Sequence, residues 1–180
     1  SKVTGCIFSE NSGNLGGGIC NYGQSDAVIT RCTFSGNSGI TGGGICNYMT
    51  SAPAITGCTF TNNSATNGGG LGNCDNSSAV VTNCRFITNT ASGDGGGVYN
   101  NDGTLNITGC VFLANSSQHG GGMYSTALVP VNFFNCTFYG NAASVSGGAI
   151  QNSSNLNLVN CILHGNTAAS GANINGSVIT

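Results

Sequence analysis

Charged residues are almost missing from this sequence. Only 4% of its 180 residues are charged, and Lys2, Arg31 and Arg85 are its only lysine and arginine residues. Soluble domains typically contain about 25% charged residues, so the surface must consist of uncharged polar groups such as asparagine, serine and threonine. A net charge of −2 with three dispersed cations excludes the basic footprint of a nucleic-acid-binding protein.

Long apolar runs, tryptophan and proline are also scarce. No stretch approaches the roughly 18 apolar residues of a membrane-spanning helix, so we predict no membrane span. The chain has no tryptophan and two prolines, whereas glycine (31 residues) and asparagine are abundant. Disordered chains share such a composition, but the strict recurrence of apolar residues excludes disorder. The sequence shows neither an initiator methionine nor a signal peptide, so we expect a mature or trimmed segment.

The sequence repeats itself about every 26 residues, a period typical of solenoid proteins. Residues 16–22 (GGGICNY) return as residues 42–48. Three columns run through seven repeats, and we therefore predict that residues 1–180 form a single domain of seven coils. The first column is Cys6, Cys32, Cys58, Cys84, Cys110, Cys136 and Cys161; the second is Phe8, Phe34, Phe60, Phe86, Phe112 and Phe138, followed by Leu163; the third is Asn11, Asn37, Asn63, Asn89, Asn115, Asn141 and Asn166.

Each repeat has the composition of β-strands. A glycine run in every unit disfavours helix, and Val, Ile and Phe at two-residue spacing favour strands. The residue before each cysteine is Gly or Asn in six repeats and Arg31 in one. Because glycine and asparagine tolerate a left-handed backbone, we expect a kink there, with strain at Arg31. Stacked coils of about three short strands each then form a parallel β-helix.

Stacking of like residues explains the columns. Seven coils spaced at about 4.8 Å would form a rod about 33 Å long, and no coil alone could bury its apolar face. We expect the cysteine and phenylalanine columns to form the core, together with the aliphatic residue after each glycine run. The asparagine column is expected to hydrogen-bond along the stack.

Two motifs resemble those of a known family. Phe-x-x-Asn in six repeats, with Gly147-Gly148-Ala149-Ile150 and its glycine-rich variants, resembles the FxxN and GGA[ILV] motifs of chlamydial polymorphic outer-membrane proteins. The chain also looks like the broader group of bacterial cell-surface proteins with right-handed β-helix repeats. The resemblance implies an all-β, right-handed, single-stranded parallel β-helix that is exported. It implies a role in adhesion or surface display and transfers no catalytic residue.

The ten cysteines admit two interpretations. Seven lie in the inner column, where free thiols pack as small hydrophobic groups, so we expect a buried stack of thiols. Cys20 and Cys46 share another column in adjacent coils and alternate with inward isoleucines, so we expect them to face outward. A Cys20–Cys46 disulfide is an alternative at that spacing. No C-x-x-C pair indicates zinc, and His119 and His164 fall in unrelated columns, so we predict no metal and no cofactor.

Five acidic residues are all that the sequence offers for acid–base catalysis by carboxylates. Asp75 and Asp102 each lie five residues after the end of a glycine run, so we expect them about 5 Å apart in one turn column. This spacing suits a retaining glycosidase or a cation site, but aspartate is also an ordinary turn residue. We therefore predict that the protein is not an enzyme. A carbohydrate-binding or carbohydrate-active site at Asp75 and Asp102 remains the alternative.

The predicted function is structural: an extracellular or cell-surface stalk, an adhesin passenger, or a filament subunit. The sequence begins and ends at equivalent columns, Val3-Thr4 and Ile179-Thr180, without a polar capping segment. Because an open coil presents unpaired strand edges, we expect end-to-end self-association, which produces a fibre if the contact does not close. A host or surface glycan or protein receptor is the other expected partner.

Overall fold

The computed structural model describes residues 1–126 and 129–179, and in these ranges it contains β-strands and turns but no helix. The strands are short, and each coil of the chain adds one strand to each of several stacks. In chain order they are β1 (Lys2–Thr4), β2 (Ile7–Ser9), β3 (Ser12–Leu15), β4 (Ile19–Tyr22), β5 (Val28–Thr30), β6 (Thr33–Ser35), β7 (Ser38–Thr41), β8 (Ile45–Tyr48), β9 (Ala54–Thr56), β10 (Thr59–Thr61), β11 (Ser64–Asn67), β12 (Leu71–Asn73), β13 (Ser78–Thr82), β14 (Arg85–Ile87), β15 (Thr90–Ala91), β16 (Val98–Asn100), β17 (Thr104–Thr108), β18 (Val111–Leu113), β19 (Ser116–His119), β20 (Met123–Ser125), β21 (Val131–Phe134), β22 (Thr137–Tyr139), β23 (Ala142–Ser146), β24 (Ile150–Val159), β25 (Ile162–His164) and β26 (Ile174–Ile179).

The strands form three sheets that run along the molecule. The first joins two stacks, β1-β5-β9-β13-β17-β21 and β4-β8-β12-β16-β20, through β24, which also pairs with β26. The second is β2-β6-β10-β14-β18-β22-β25, and the third is β3-β7-β11-β15-β19-β23. The pairings are parallel and join residues one repeat apart, for example Phe60 with both Phe34 and Phe86. The prediction of a parallel β-helix of about seven coils is confirmed.

Left-handed residues turn the chain between strands. All seven residues before the cysteine column have φ between 52° and 64°, and Arg31, at 52°, adopts the same kink as the others. A second left-handed set stands before each asparagine of the third column and includes Glu10, Thr88 and Ala114. This second kink separates the Cys-x-Phe strand from the next one. Most coils therefore contain four short strands, one more than the expected number of about three.

The core consists of columns that follow the long axis. The six phenylalanine rings of the second column stack with centroids 4.4 to 4.9 Å apart. The five middle cysteines of the first column are buried, whereas Cys6 is exposed and Cys161 is half-buried. The aliphatic residues after the glycine runs, such as Ile45, Leu71 and Val98, are fully buried. The columns that the repeat predicts are thus the core of the rod.

An asparagine ladder runs beside this core. From Asn11 to Asn166, Nδ2 of each asparagine donates to Oδ1 of the next at 2.9 to 3.0 Å. The backbone N–H of each rung donates to the same oxygen. A second ladder, made of Asn21, Asn47, Asn73, Asn100 and Ser125, follows the glycine runs. These bonds tie every coil to its neighbours.

Loss of one rung should destabilise the rod. Nδ2 of Asn63 donates to the carbonyl oxygen of Phe34 at 3.0 Å and to Oδ1 of Asn89 at 2.9 Å. Asn63→Ala removes these two bonds and also the oxygen that accepts from the buried backbone N–H of Asn37 at 3.0 Å, so we expect the free energy of unfolding to fall by about 1–3 kcal/mol, as measured by denaturant unfolding. The control is Asn14→Ala at an exposed position, expected within about 0.5 kcal/mol of the parent. Equal losses for the two variants would contradict the ladder.

Candidate functional site

The glycine run of each coil forms a sharp inward corner. A Cβ on Gly16 would lie 1.9 Å from the carbonyl oxygen of Ile19, and a Cβ on Gly43 would lie 2.4 Å from that of Gly69. Gly16 also has a left-handed φ of 64°. Only glycine fits such positions, so its recurrence in every coil is a packing requirement. The corner brings the end of the third sheet against the outer side of the β4-β8-β12-β16-β20 stack.

At this corner two columns of side chains meet on the outer side of the coil, and we term this contact the notch. One wall is the column of residues that directly precede the glycine runs of successive coils. The other wall is the column of residues that lie two positions after each run. The first wall consists of Leu15, Thr41, Asn67, Asp94, His119 and Ser146, and the second of Cys20, Cys46, Gly72, Tyr99, Tyr124 and Gln151. The walls touch, because a Cβ on Gly72 would lie 2.7 Å from Cγ2 of Thr41.

Cys46 lies in the notch and is completely buried, although it was expected to face outward. The strand does direct this column away from the core, but the facing wall covers it. Cys20, which pairs with Cys46 one coil earlier, is exposed. All ten cysteines are free thiols, and the structure contains no Cys20–Cys46 disulfide. Paired residues of parallel strands direct their side chains the same way, which disfavours that bond.

The later coils of the notch carry an aspartate, a histidine and two tyrosines. Asp94 and His119 are direct neighbours, joined by an isolated parallel bridge. Oγ of Ser146 donates to Oε1 of Gln151 at 2.6 Å and lies 2.8 Å from Nδ1 of His119. Because the hydroxyl has a single proton, Nδ1 of His119 is the donor in the second bond, and Nε2 is left as an acceptor.

Two tyrosines form the facing wall at this level. The rings of Tyr99 and Tyr124 stack at 5.7 Å with planes 7° apart, and the ring of Tyr124 lies 6.3 Å from that of His119. Burial raises the pKa of Tyr99 to about 12 and also raises the pKa of Tyr124. Burial raises the pKa of Asp94 as well, while the neighbouring His119 lowers it. At neutral pH both tyrosines therefore keep hydroxyls that can donate and accept hydrogen bonds.

Ser146, His119 and Asp94 do not form a hydrolytic triad. In such a triad the serine hydroxyl donates its proton to the imidazole, whereas here it donates to Gln151. Ser146 is also buried, so a substrate could not reach its oxygen. Among the described residues, no group of three His, Cys, Asp or Glu side chains could hold a metal ion. The notch can offer hydrogen bonds to a ligand but does not activate this serine.

The predicted acidic pair lies elsewhere, in the turns that follow β12 and β16. Asn73 pairs with Asn100, so Asp75 and Asp102, two residues later, occupy one turn column, and both are exposed. A surface pocket of about 270 Å³ lies beside this column, and its lining residues are Gly23, Gln24, Met49, Thr50 and Asp75. Asp102 does not line that pocket. The structure therefore aligns the two aspartates without bringing them into a shared cavity.

Sequence analysis missed the neighbourhood of Asp94 and His119. One full period counted from Asp94 leads to Gly120 rather than to His119. The glycine runs, however, begin at Gly68, Gly95 and Gly120, so one step between them is longer than the period and the next is shorter. Alignment of the repeats on their glycine runs places Asp94 and His119 in one column and is the signal that would have found them.

Buried thiols should make the protein less stable at alkaline pH. Burial raises the pKa of Cys46, and burial with the charges of Asp75 and Asp102 raises the pKa of Cys74 to about 12. An unfolded thiol loses its proton near pH 8.5, so above about pH 9 the unfolded chain binds fewer protons than the folded one. The free energy of unfolding should then fall by up to about 1.4 kcal/mol per pH unit for each such thiol.

Denaturant unfolding at several pH values between about 8 and 11, on either side of the thiol pKa, measures this decline. The double variant Cys46→Ala/Cys74→Ala removes two of the thiols and should show a shallower decline than the parent. The same slope in both proteins would contradict the contribution assigned to these two thiols.

Two family models match this parallel β-helix. Residues 1–127 match the right-handed β-helix region, and residues 135–153 match the chlamydial polymorphic membrane protein repeat. Since the first match covers more than half of the chain, the chain belongs to the right-handed β-helix family. The second match confirms the resemblance that the FxxN and GGA[ILV] motifs indicate. No curated protein and no solved structure matches the chain significantly.

The polymorphic membrane protein repeat also bears on location. It indicates a surface-exposed protein associated with the cell surface or an outer membrane. Within residues 1–126 and 129–179, no helix is long and apolar enough to span a bilayer.

Proposed function

We propose that the chain is a non-catalytic, extracellular rod that supports display or adhesion at a cell surface. The observation that carries this proposal is the continuity of the columns. Stacked phenylalanine rings and asparagine hydrogen bonds link each coil to the next from Phe8 to Phe138 and from Asn11 to Asn166. Solenoids stabilised by such nearest-neighbour contacts form extended surfaces suited to binding, and these are the properties that an adhesin passenger or stalk requires.

The disposition of reactive groups supports the non-catalytic part of the proposal. The Ser146 hydroxyl donates its hydrogen bond to Gln151. Burial raises the pKa of the Cys46 and Cys74 thiols and so keeps them protonated. Asp75 lines a surface pocket without Asp102, and no observation favours the carbohydrate-active alternative at these two aspartates. These observations support a role in binding rather than in catalysis.

Attachment to cells tests the adhesin role. Beads coated with the folded chain should attach to cultured epithelial cells several-fold more often than albumin-coated beads, and free chain should compete for attachment. The Asp75→Asn variant should attach like the parent, because the pair at Asp75 and Asp102 has no part in the proposal. Attachment no greater than that of albumin-coated beads would contradict an adhesin passenger.

Head-to-tail assembly is the second form that this function can take. From Asn11 to Asn141, the rungs of the asparagine ladder donate in the same axial direction. The last rung, Asn166, donates to Phe138 and Asn173, so a second copy would continue the ladder by taking the place of Asn173 as acceptor. Electron microscopy over a concentration series should then show fibres with an axial repeat near ~33 Å, the height of about seven coils. Isolated short rods at every concentration would contradict a filament subunit and leave the stalk or adhesin role.

A further inference from the structure

The turns that follow β4, β8 and β12 form a small surface pocket of about 270 Å³. Its lining residues are Gly23 and Gln24 from the first turn, Met49 and Thr50 from the second, and Asp75 from the third. A water molecule occupies about 30 Å³ in the liquid, so the pocket has room for roughly nine non-hydrogen atoms. Neither the columns of the core nor the notch uses these side chains.

Backbone hydrogen bonds between the coils hold this pocket in shape. The N–H of Gln24 donates to the carbonyl oxygen of Met49 at 3.0 Å, and the N–H of Thr50 donates to that of Asp75 at 3.0 Å. All five lining residues have left-handed φ angles between 54° and 61°, so the three turns repeat one conformation. The pocket is therefore preformed, and a ligand would not have to order the backbone in order to bind.

The polar groups of the pocket are mainly hydrogen-bond acceptors. The Asp75 carboxylate is exposed, and in the described part of the chain it makes no hydrogen bond. Oγ1 of Thr50 donates its single proton to the carbonyl oxygen of Met49 at 2.7 Å, which leaves this hydroxyl only as an acceptor. The amide of Gln24 can turn its carbonyl oxygen toward a donor. The pocket therefore suits a ligand that carries several donors.

We propose that this pocket binds a primary alkylammonium ion. An ammonium group has three N–H donors and no acceptor, which matches the acceptors of Asp75, Thr50 and Gln24. Its bond to the carboxylate is charge-assisted and therefore stronger than a bond between neutral groups. Met49 supplies a flexible apolar thioether, against which the methylene chain of the ligand can pack.

The distribution of charge favours an organic cation. Lys2 lies in β1, Arg85 lies in β14, and Arg31 forms a kink between strands, so none of the three cations belongs to the described lining of the pocket. An anion would meet the Asp75 carboxylate without a compensating charge, and like charges disfavour binding. A calcium ion takes about six to eight oxygen ligands, whereas Asp75 is the one carboxylate among the described lining residues.

Methyl NMR of the folded chain with isotope-labelled methionine tests the site. The chain has two methionines: Met49 lines the pocket, and Met123 is completely buried in the core. Titration with n-hexylammonium should shift the Met49 signal with a Kd of about 1 mM or lower and leave the Met123 signal unchanged. Hexanoate, which has the opposite charge, and tetramethylammonium, which has no N–H donor, should each bind at least about tenfold more weakly.

Two aspartate variants separate a direct contact from a general attraction between charges. Asp75→Asn keeps the shape of the side chain and should weaken hexylammonium binding at least about tenfold, because it removes the charged acceptor. Asp102→Asn is the matched control, since it removes the same charge from the next coil of the turn column, outside the pocket. It should weaken binding by less than about threefold, because salt screens an exposed charge that makes no contact with the ligand. Circular dichroism confirms that each variant is folded.

Lysine blocked at both its amino and carboxyl ends is the last probe, because it carries the same ammonium group as a residue of a protein does. Tighter binding of blocked lysine than of hexylammonium would assign the pocket to a side chain of a partner protein and overturn a site for a free amine. So would the lack of a saturable Met49 shift at millimolar concentration, equal binding of hexanoate or tetramethylammonium, or equal effects of Asp75→Asn and Asp102→Asn. None of these results bears on the rod as a display scaffold, since attachment of beads coated with the parent chain tests that function separately.

Discussion

Phe86→Ala is expected to lower the free energy of unfolding by about 3–5 kcal/mol. The ring of Phe86 is completely buried, and its centroid lies 4.7 Å from that of Phe60 and 4.9 Å from that of Phe112. Truncation removes the buried ring and leaves a cavity between two coils that the backbone hydrogen bonds hold at a fixed spacing. The site therefore has little freedom to collapse. Denaturant unfolding of the parent and the variant measures the loss.

Phe134→Ala provides the control within the same fold. Phe134 ends strand β21 with 36% of its surface exposed, so its truncation should cost less than about 1 kcal/mol. Similar losses for the two variants would contradict a core built on the phenylalanine column.

Gly43→Ala is the second substitution with a large expected effect. A Cβ at this position would lie 2.4 Å from the carbonyl oxygen of Gly69 and 2.5 Å from that of Ser64. Both atoms are backbone of the next coil, so the methyl group fits only if the two coils separate. Overpacking of this kind should reduce the free energy of unfolding by about 3 kcal/mol or more, measured by thermal or denaturant unfolding.

Gly140→Ala separates crowding from backbone strain. Gly140 has a left-handed φ of 64°, but a Cβ there would meet no atom within 4 Å. An alanine at this position should cost only the penalty of the left-handed conformation, about 1–2 kcal/mol. If Gly140→Ala destabilises the protein as much as Gly43→Ala does, crowding between coils is not the reason for the glycine runs.

Most of the fold follows from the sequence because the same residue types recur at every coil. The repeat period identified the coil, and the residues at the Cys, Phe and Asn columns identified its core and ladder. The number of strands per coil did not follow, because Glu10, Thr88 and Ala114 are left-handed although their residue types rarely are. Hydrogen bonds to the neighbouring coils stabilise these kinks, for example from the N–H of Thr88 to the carbonyl of Leu113 at 2.9 Å.

The candidate site was much harder to predict than the fold. Strand alternation correctly indicates that Cys46 points away from the core, but it does not show that another wall covers this side. The proximity of Asp94 to His119 is hidden by a longer step followed by a shorter one between glycine runs. Sites of this kind depend on which surfaces a corner brings together, and a count of residues along the chain does not contain that information.

The central claim is that each repeat forms one coil of the rod and that the coils are interchangeable. Removal of one whole repeat tests this claim most directly. Deletion of residues 59–84 joins Cys58 to Arg85, the residue that pairs with Thr59 in the next coil. Circular dichroism during heating should show a β-sheet spectrum and a single cooperative transition, because every remaining contact between coils can re-form. Deletion of residues 59–71 alone removes half a repeat and should abolish that transition. Loss of the β-sheet spectrum or of the cooperative transition in the 59–84 deletion would contradict the stacked-coil account.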